Sequence, residues 1–258
     1  MEHTQGLPTV VELPIQISAL SLLCPSGHNN KALSQPACTG MVPNFKARSM
    51  VPDRKSLKLM TQAVRLGVAS IASAVGQCSD WDNIQPSRRG MYVGASPQVG
   101  RHDDLTDAIN VAFESGTFSL QDFGEKGISQ IHPLWLVRGL SNNVLGFSSA
   151  YHNAQGHNMS YAMGVDGGWN AILEGAQALV DGRADIVIVG GSDDLTAATD
   201  VLGAEGSEGA AFFILKPAAS TMVLDRTVYE SLARPFGLLG AATIPVGMAL
   251  HEFGKQLE

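Results

Sequence analysis

Apolar residues dominate the stretch Leu13 to Leu23, which reads as a buried strand ended by the turn signal Cys24-Pro25-Ser26-Gly27. Residues 28–53 are polar and proline-rich and read as loop. From Ser56 to Val75, the positions Leu57, Met60, Val64, Val68, Ile71 and Val75 recur at spacings of 3, 4, 4, 3 and 4, one face of an amphipathic helix. Ala69, Ala72 and Ala74 leave room for close packing. Gly90 to Ser96 reads as a short buried strand. Asp104 to Ser115 reads as a helix, with Asp103 or Asp104 near its positive end.

Residues 116–132 form a predicted loop, and Pro133 opens a helix running toward Tyr151. A strand over 157–164, a helix over 168–181 and a strand over 185–190 follow. Gly209 to Leu215 is a further strand, closed by Lys216-Pro217. The tail from Leu238 to Phe253 is helical in pattern, with Pro245 expected to kink or restart it. Strands alternating with helices predict an α/β layered fold with a mixed sheet. No linker or shift in composition divides the chain, so residues 1–258 are read as one domain.

Composition narrows the function. The 258 residues are 45% hydrophobic and 16% charged, enough for a sizeable core, and the net charge is −7. That balance argues against a nucleic-acid partner, although a local basic patch would still accept an acidic carrier protein. Cys24, Cys38 and Cys78 fit neither a disulfide framework nor a zinc site and are expected to be inert, buried or half-buried thiols. No metal or cofactor is expected. Glu2, His3 and Glu12 interrupt any N-terminal signal pattern, and no apolar run is long enough for a bilayer. The expected location is the cytoplasm, without a membrane partner.

Other candidate groups have plain readings. His152 and His157 sit five apart in a polar loop, where a solvated or capping role outweighs metal binding or base catalysis. His132 precedes Pro133 as a turn residue. Ser160 lacks a Gly-x-Ser-x-Gly elbow and projects from a strand, so it is not read as a nucleophile. Gly203 to Gly209 lacks the Lys-Ser/Thr of a phosphate loop and precedes a strand, so it reads as a glycine-rich turn.

The segment from His157 to Gly191 carries the strongest pattern: strand, tight glycine turn, helix, the loop Gly182-Arg183-Ala184-Asp185, then a buried strand ending in Gly190-Gly191. It resembles the nucleophile region of β-ketoacyl synthases, in the thiolase superfamily. Ile17 to Gly27 is similar to their opening strand and turn, and Met91 to Ser96 to the next core strand. Ile131 to Gly146 is similar to the helix before the nucleophile, and Glu205 to Leu215 to the Gly-Glu-Gly-Ala-Ala strand. Ungapped counting puts the family's cysteine on Val165. Phe236 to Ala242 looks like the Gly-His-x-x-Gly-Ala-Ala segment, with Gly237 in the histidine's place. The His-x-Thr-x-Thr motif does not occur, and only about a dozen residues separate Gly191 from the Glu-Gly motif.

The resemblance implies a truncated thiolase-like fold, a layered mixed sheet with helices on both faces. The N-terminal half would be mostly present and a remnant of the C-terminal half would lie at about 232–258. It also implies no catalytic residue, because a valine cannot form an acyl thioester and the histidines that stabilise charge are missing. The pattern is similar to short chain-length factors of type II polyketide and aryl polyene systems. Such a chain would form a heterodimer with a full-length ketosynthase and meet acyl carrier protein through that complex. The strand Asn158, Met159, Ser160, Tyr161, Ala162, Met163 and Gly164 would lie at the dimer interface. Trp135, Ala108, Val111, Ala112 and Phe113 would line the acyl tunnel, and Asp166, Gly167 and Gly168 would shape the remnant elbow turn. Two alternatives stay open: a residual acyltransferase or malonyl decarboxylase, and a free-standing acyl-binding or regulatory protein.

Overall fold

The computed structural model describes residues 8–97 and 105–256, so the expected helix start at Asp103 or Asp104 lies outside the described residues. Six strands form one sheet in the order β2-β1-β6-β5-β3-β4. Their ranges are β1 Val10–Cys24, β2 Gly27–His28, β3 Arg89–Ala95, β4 Asn158–Ala162, β5 Ile186–Asp194 and β6 Glu208–Asp225. β3 runs parallel to β4 and β5, whereas β6 is antiparallel to both β5 and β1, so the sheet is mixed. β3 and β5 read as near-continuous apolar runs because both their faces are covered. Alternation sends Tyr92, Val187, Val189, Phe213 and Leu215 to one face and Met91, Val93, Ile186, Ile188 and Phe212 to the other.

Seven main helices flank the sheet: α1 Gln62–Gly76, α2 Thr106–Ala112, α3 Trp135–Arg138, α4 Asn143–Tyr151, α5 Val165–Val180, α6 Arg226–Ala233 and α7 Thr243–Lys255. α1 covers one face, burying Val64, Val68 and Ile71. α5 and α7 cover the other, with α6 packed on α7. Trp169 of α5 is fully buried and donates its indole N–H to the Pro8 carbonyl at 3.0 Å. Among the described residues no helix is long and apolar enough to cross a membrane.

Several expected boundaries move, each for a local reason. The helix expected from Ser56 begins at Gln62. Thr61 caps it by accepting from the Val64 N–H at 3.5 Å, and Arg54–Leu59 is a separate 3₁₀ turn capped by Asp53. The helix expected to end at Ser115 stops at Ala112. The loop 116–132 contains helical turns at Leu120–Asp122, Phe123–Gly127 and Ile128–Gln130. The single helix expected from Pro133 to Tyr151 is two, α3 and α4. The Asn143 side-chain amide donates to the Val137 carbonyl at 2.7 Å and the Arg138 carbonyl at 3.4 Å, satisfying groups that a continuing helix would have used.

β6 does not close at Pro217. β5 pairs with it only as far as Leu215, so Pro217 lies on a two-stranded stretch beside a register shift, where a missing N–H is tolerated. Pro245 restarts the tail without a kink: as the third residue of α7 it sits in the first turn, where N–H groups have no helical acceptor.

Candidate functional site

A sharp bend joins β4 to α5. Gly164 makes it, with φ 58° and ψ −131°, a conformation that side-chain-bearing residues avoid. Val165 follows as the first residue of α5. Asp166, Gly167 and Gly168 therefore do not form the turn, as the sequence had implied; they lie in the first helical turn. Gly167 and Gly168 have another task. A Cβ on either would run into the carbonyl oxygen of Tyr161 or of Ala241, and one on Gly94 of β3 would strike the backbone of Gly168 at 2.5 Å. The helix start is thus seated by backbone-to-backbone contact and needs nothing from the side chain at 165.

Val165 and Gly237, far apart in sequence, line the same open pocket of about 820 Å³. Leu195, Leu202, Leu238 and Leu239 supply its apolar wall, and Thr39, Glu205, Arg226, Glu230, Arg234 and Thr243 its polar rim. Neither cysteine nor histidine is among the lining residues. Arg226 is neutralised by Asp166 at 2.8 Å and Glu230 at 2.7 Å, and the Thr39 hydroxyl donates to Glu205 at 2.7 Å. Gly237 has φ 75° and ψ −153°, and a Cβ there would sit 2.5 Å from the Glu205 carbonyl oxygen. The pocket can hold a ligand, but it offers no thiol for acyl transfer and no imidazole for charge stabilisation.

No family model matches the sequence, and no curated protein does. Solved structures do match. A β-ketoacyl synthase from Burkholderia phymatum superposes with a TM-score of 0.60 at 15% identity, over 80% of this chain and 59% of that one. The chain has the ketosynthase fold. Three further ketosynthase structures resemble it. A type II polyketide acyl-carrier protein complex with its ketosynthase, AntDE:AntF, has a TM-score of 0.65 at 18% identity, over 80% of this chain and 62% of that one. The ishigamide ketosynthase/chain length factor gives 0.61 at 14%, over 80% and 59%. The ketosynthase ApeO in complex with its chain length factor ApeC, from Xenorhabdus doucetiae, gives 0.56 at 17%, over 85% and 60%. The chain spans about three fifths of the length of the ketosynthase chains it matches.

Within this ketosynthase fold, β4 ends the sheet and, among the described residues, has β3 as its only strand neighbour. Asn158, Met159 and Met163 are exposed, while Ser160, Tyr161, Ala162 and Gly164 are half-buried. Ser160 is engaged structurally, donating to the Ser141 carbonyl at 3.3 Å. Nearby in sequence, Leu136 and Leu140 are 73% and 50% exposed, and Met159 and Met163 are 51% and 56% exposed, large apolar areas for a folded surface.

The residues expected to line an acyl tunnel do not line the Val165 pocket. Ala108 and Ala112 are buried, but by this chain's own following segment. A Cβ on Gly127 would meet the Ala108 carbonyl at 2.9 Å, and Ser119 N–H donates to the Ala112 carbonyl at 2.9 Å. Val111 is half-buried. Phe113 is 47% exposed and begins an aromatic row with Phe118 and Phe123, at centroid distances of 5.5 and 6.1 Å. Trp135 is half-buried at the start of α3.

The structure also adds a residue that sequence reasoning missed. Asp193, near the end of β5, is buried. It accepts from the Ser96 hydroxyl, from the Ala241 N–H at 2.9 Å and from the Asp194 N–H at 3.0 Å. Burial outweighs these bonds and pushes its carboxyl up to about 6. Asp193 thereby ties the ends of β3 and β5 to the 3₁₀ turn Gly240–Ala242 behind the pocket. Its signal was a charged residue just past the glycine pair of an apolar strand. Glu208 is a second buried carboxylate, raised by burial and accepting from the Val42 N–H at 2.8 Å.

The remaining candidates are structural. His152 is half-buried, which holds its pKa down, and it sits at the C-cap of α4. His157 is exposed. His132 Nδ1 accepts from the Leu134 N–H at 3.1 Å, a turn role. Cys24 and Cys78 are buried, and burial pushes the Cys24 thiol up to about 11. Cys38 is exposed, contrary to expectation, because it lies in an irregular loop. Gly203 is left-handed, with φ 66°, and the Gly203–Gly209 stretch is a turn leading into β6. Among the described residues no cluster of His, Cys, Asp or Glu has the makings of a metal site.

Proposed function

We propose that this chain is a noncatalytic ketosynthase-like subunit of the chain-length-factor type. It pairs with a cysteine-bearing ketosynthase, completes the dimer and helps shape the acyl tunnel in which polyketide or polyene chains are built on acyl carrier protein. One observation carries this reading: the positions expected to hold nucleophile and histidine meet in one pocket as Val165 and Gly237, without thiol or imidazole. The open edge of β4, running from Asn158 to Gly164 into the bend, supports it as a place for a partner's strand. Matches to ketosynthase structures that contain chain length factors support it too. The partner performs the condensation, and Trp135, Ala108, Val111, Ala112 and Phe113 contribute from this side of the interface.

Co-expression of the tagged chain with a cysteine-bearing ketosynthase from the same organism tests the proposal. The expected product is an equimolar complex that condenses malonyl and acyl groups. Met159→Lys, which charges the exposed β4 edge, should release the partner while leaving the free chain folded, since surface substitutions usually cost within about 0.5 kcal/mol. A chain that stays monomeric beside that ketosynthase, or that alone releases carbon dioxide from malonyl-carrier protein, would refute the reading.

A further inference from the structure

Charge is not spread evenly along the chain. Residues 46–65 hold six of its 17 lysines and arginines, namely Lys46, Arg48, Arg54, Lys55, Lys58 and Arg65, and a single acid, Asp53. Six cations less one acid give this stretch +5, in a chain of net charge −7. The fold keeps these cations together. Lys46, Arg48, Lys58 and Arg65 line one open pocket of about 620 Å³ beside Phe45 and Leu57, and no acidic residue lines it. The helical turn Ala47–Met50 carries Arg48, the 3₁₀ turn Arg54–Leu59 carries Lys58, and α1 carries Arg65. Buried Val51 and Met60 anchor the stretch from within, and an Arg65 Nη donates to the Leu57 carbonyl at 3.0 Å, tying that 3₁₀ turn to α1.

Lys46, Arg48, Arg54, Lys55 and Lys58 are exposed. Among the described residues none of the six cations has a carboxylate within ion-pairing distance. Asp53 is committed to its own turn, accepting from the Lys55 N–H at 2.9 Å and from the Ser56 hydroxyl. Unopposed cations on a chain that repels anions elsewhere steer an anionic partner onto this one face. Their spread decides which anion. The charges come from three elements and continue past the pocket to Arg54 and Lys55, which suits a row of carboxylates rather than one phosphate group. Over residues 42–97 no large apolar side chain is exposed, so the face lacks the anchor that a lipid surface needs. A long nucleic acid would run on over the acidic remainder of the chain, whereas a compact acidic protein would not.

We infer that this face docks an acidic protein surface, that of the acyl carrier protein, directly on this chain. This rests on the subunit reading above and places the carrier on the noncatalytic member of the pair.

The test measures, by fluorescence anisotropy, how the labelled acyl carrier protein of the same organism binds the free chain and its complex with a cysteine-bearing ketosynthase. Arg48→Glu/Lys58→Glu should weaken binding to both at least about tenfold at low salt, and the loss should shrink as salt screens the exposed charges. The free double variant should melt with wild type, because both side chains are exposed. Lys126→Glu/Lys255→Glu makes the same change in net charge on other elements and should bind within about twofold of wild type. Equal losses in the two double variants would assign the effect to net charge and overturn the inference. No loss in either, or no binding of carrier by wild type, overturns it while a complex with the ketosynthase keeps the subunit reading alive. A free chain that binds carrier through this face yet never pairs with the ketosynthase overturns the subunit reading alone. A DNA duplex or phosphatidylglycerol vesicles bound as tightly as the carrier, and lost in Arg48→Glu/Lys58→Glu, would overturn a protein occupant.

Discussion

Gly237 gives the sharpest quantitative prediction about the lost site. Its φ of 75° and ψ of −153° lie where only glycine rests easily, and forcing another residue there costs about 1–3 kcal/mol. A Cβ would also press to 2.5 Å from the Glu205 carbonyl oxygen, which accepts the Leu238 N–H at 2.9 Å and cannot retreat without weakening that bond, at a cost of about 1 kcal/mol. Gly237→Ala should therefore lose about 3 kcal/mol. For a chain of this size that lowers the melting temperature by about 6–12 °C. Val165→Cys is the control: Val165 is half-buried in the first turn of α5, so a smaller residue should cost under about 1.5 kcal/mol. Thermal unfolding followed by circular dichroism reads both. Gly237→His carries the same backbone cost before its imidazole is placed, so Val165→Cys/Gly237→His should destabilise the chain without creating a condensing enzyme. A Gly237→Ala protein melting within about 2 °C of wild type would refute this reasoning.

Two further outcomes test the proposed function and the buried carboxylate. Under the proposed function, Trp135→Ala in the complex should lengthen or scramble the products, because an indole at the tunnel wall would exclude chain methylenes worth about 0.8 kcal/mol each; an unchanged product distribution by mass spectrometry would remove Trp135 from the proposed tunnel. Asp193, raised to about 6 from a reference of 3.8, holds its proton more tightly in the folded than in the unfolded chain. Its contribution is therefore most favourable below about pH 4 and declines as pH rises through 6, by up to about 3 kcal/mol. Urea unfolding should show the stability of wild type minus that of Asp193→Asn falling between pH 4 and pH 7, and a difference that is flat with pH would contradict the assignment.

Much of the sheet was legible because β3 and β5 are short apolar runs bounded by turns, and α5 and α7 are flanked by glycine signals. Boundaries failed where a side chain, rather than a hydrophobic period, ended the element. Asn143 ended α3 by taking its last carbonyls, and Thr61 started α1 six residues after Ser56. The extension of β6 past Pro217 was invisible because it depends on where β5 stops, a fact of the assembled sheet. The pairing of Val165 with Gly237 in one pocket followed from the family pattern, whereas Asp193 had only the weak signal of a charge just past the glycine pair of an apolar strand. Its significance comes from burial and from the three donors that the folded chain brings to it, which residue spacing does not show.

The elbow's geometry does not depend on the side chain at 165. Its bend is set by Gly164, and its seat by the close approach of Gly94, Gly167 and Gly168 to neighbouring backbone. None of these requirements involves the side chain at 165, so a cysteine can become a valine with little effect on folding. The outward face of α5 is separately committed to water: Glu174 and Gln177 are exposed, and Asp166 and Asp181 are held by Arg226 and Arg183. What the fold leaves unsatisfied among the described residues lies elsewhere, in the outer edge of β4 and in the exposed leucines and methionines beside it. A pocket lined by neither thiol nor imidazole, on a backbone elbow that needs neither, together with an edge strand and exposed apolar side chains, is the arrangement on which the proposed subunit role rests.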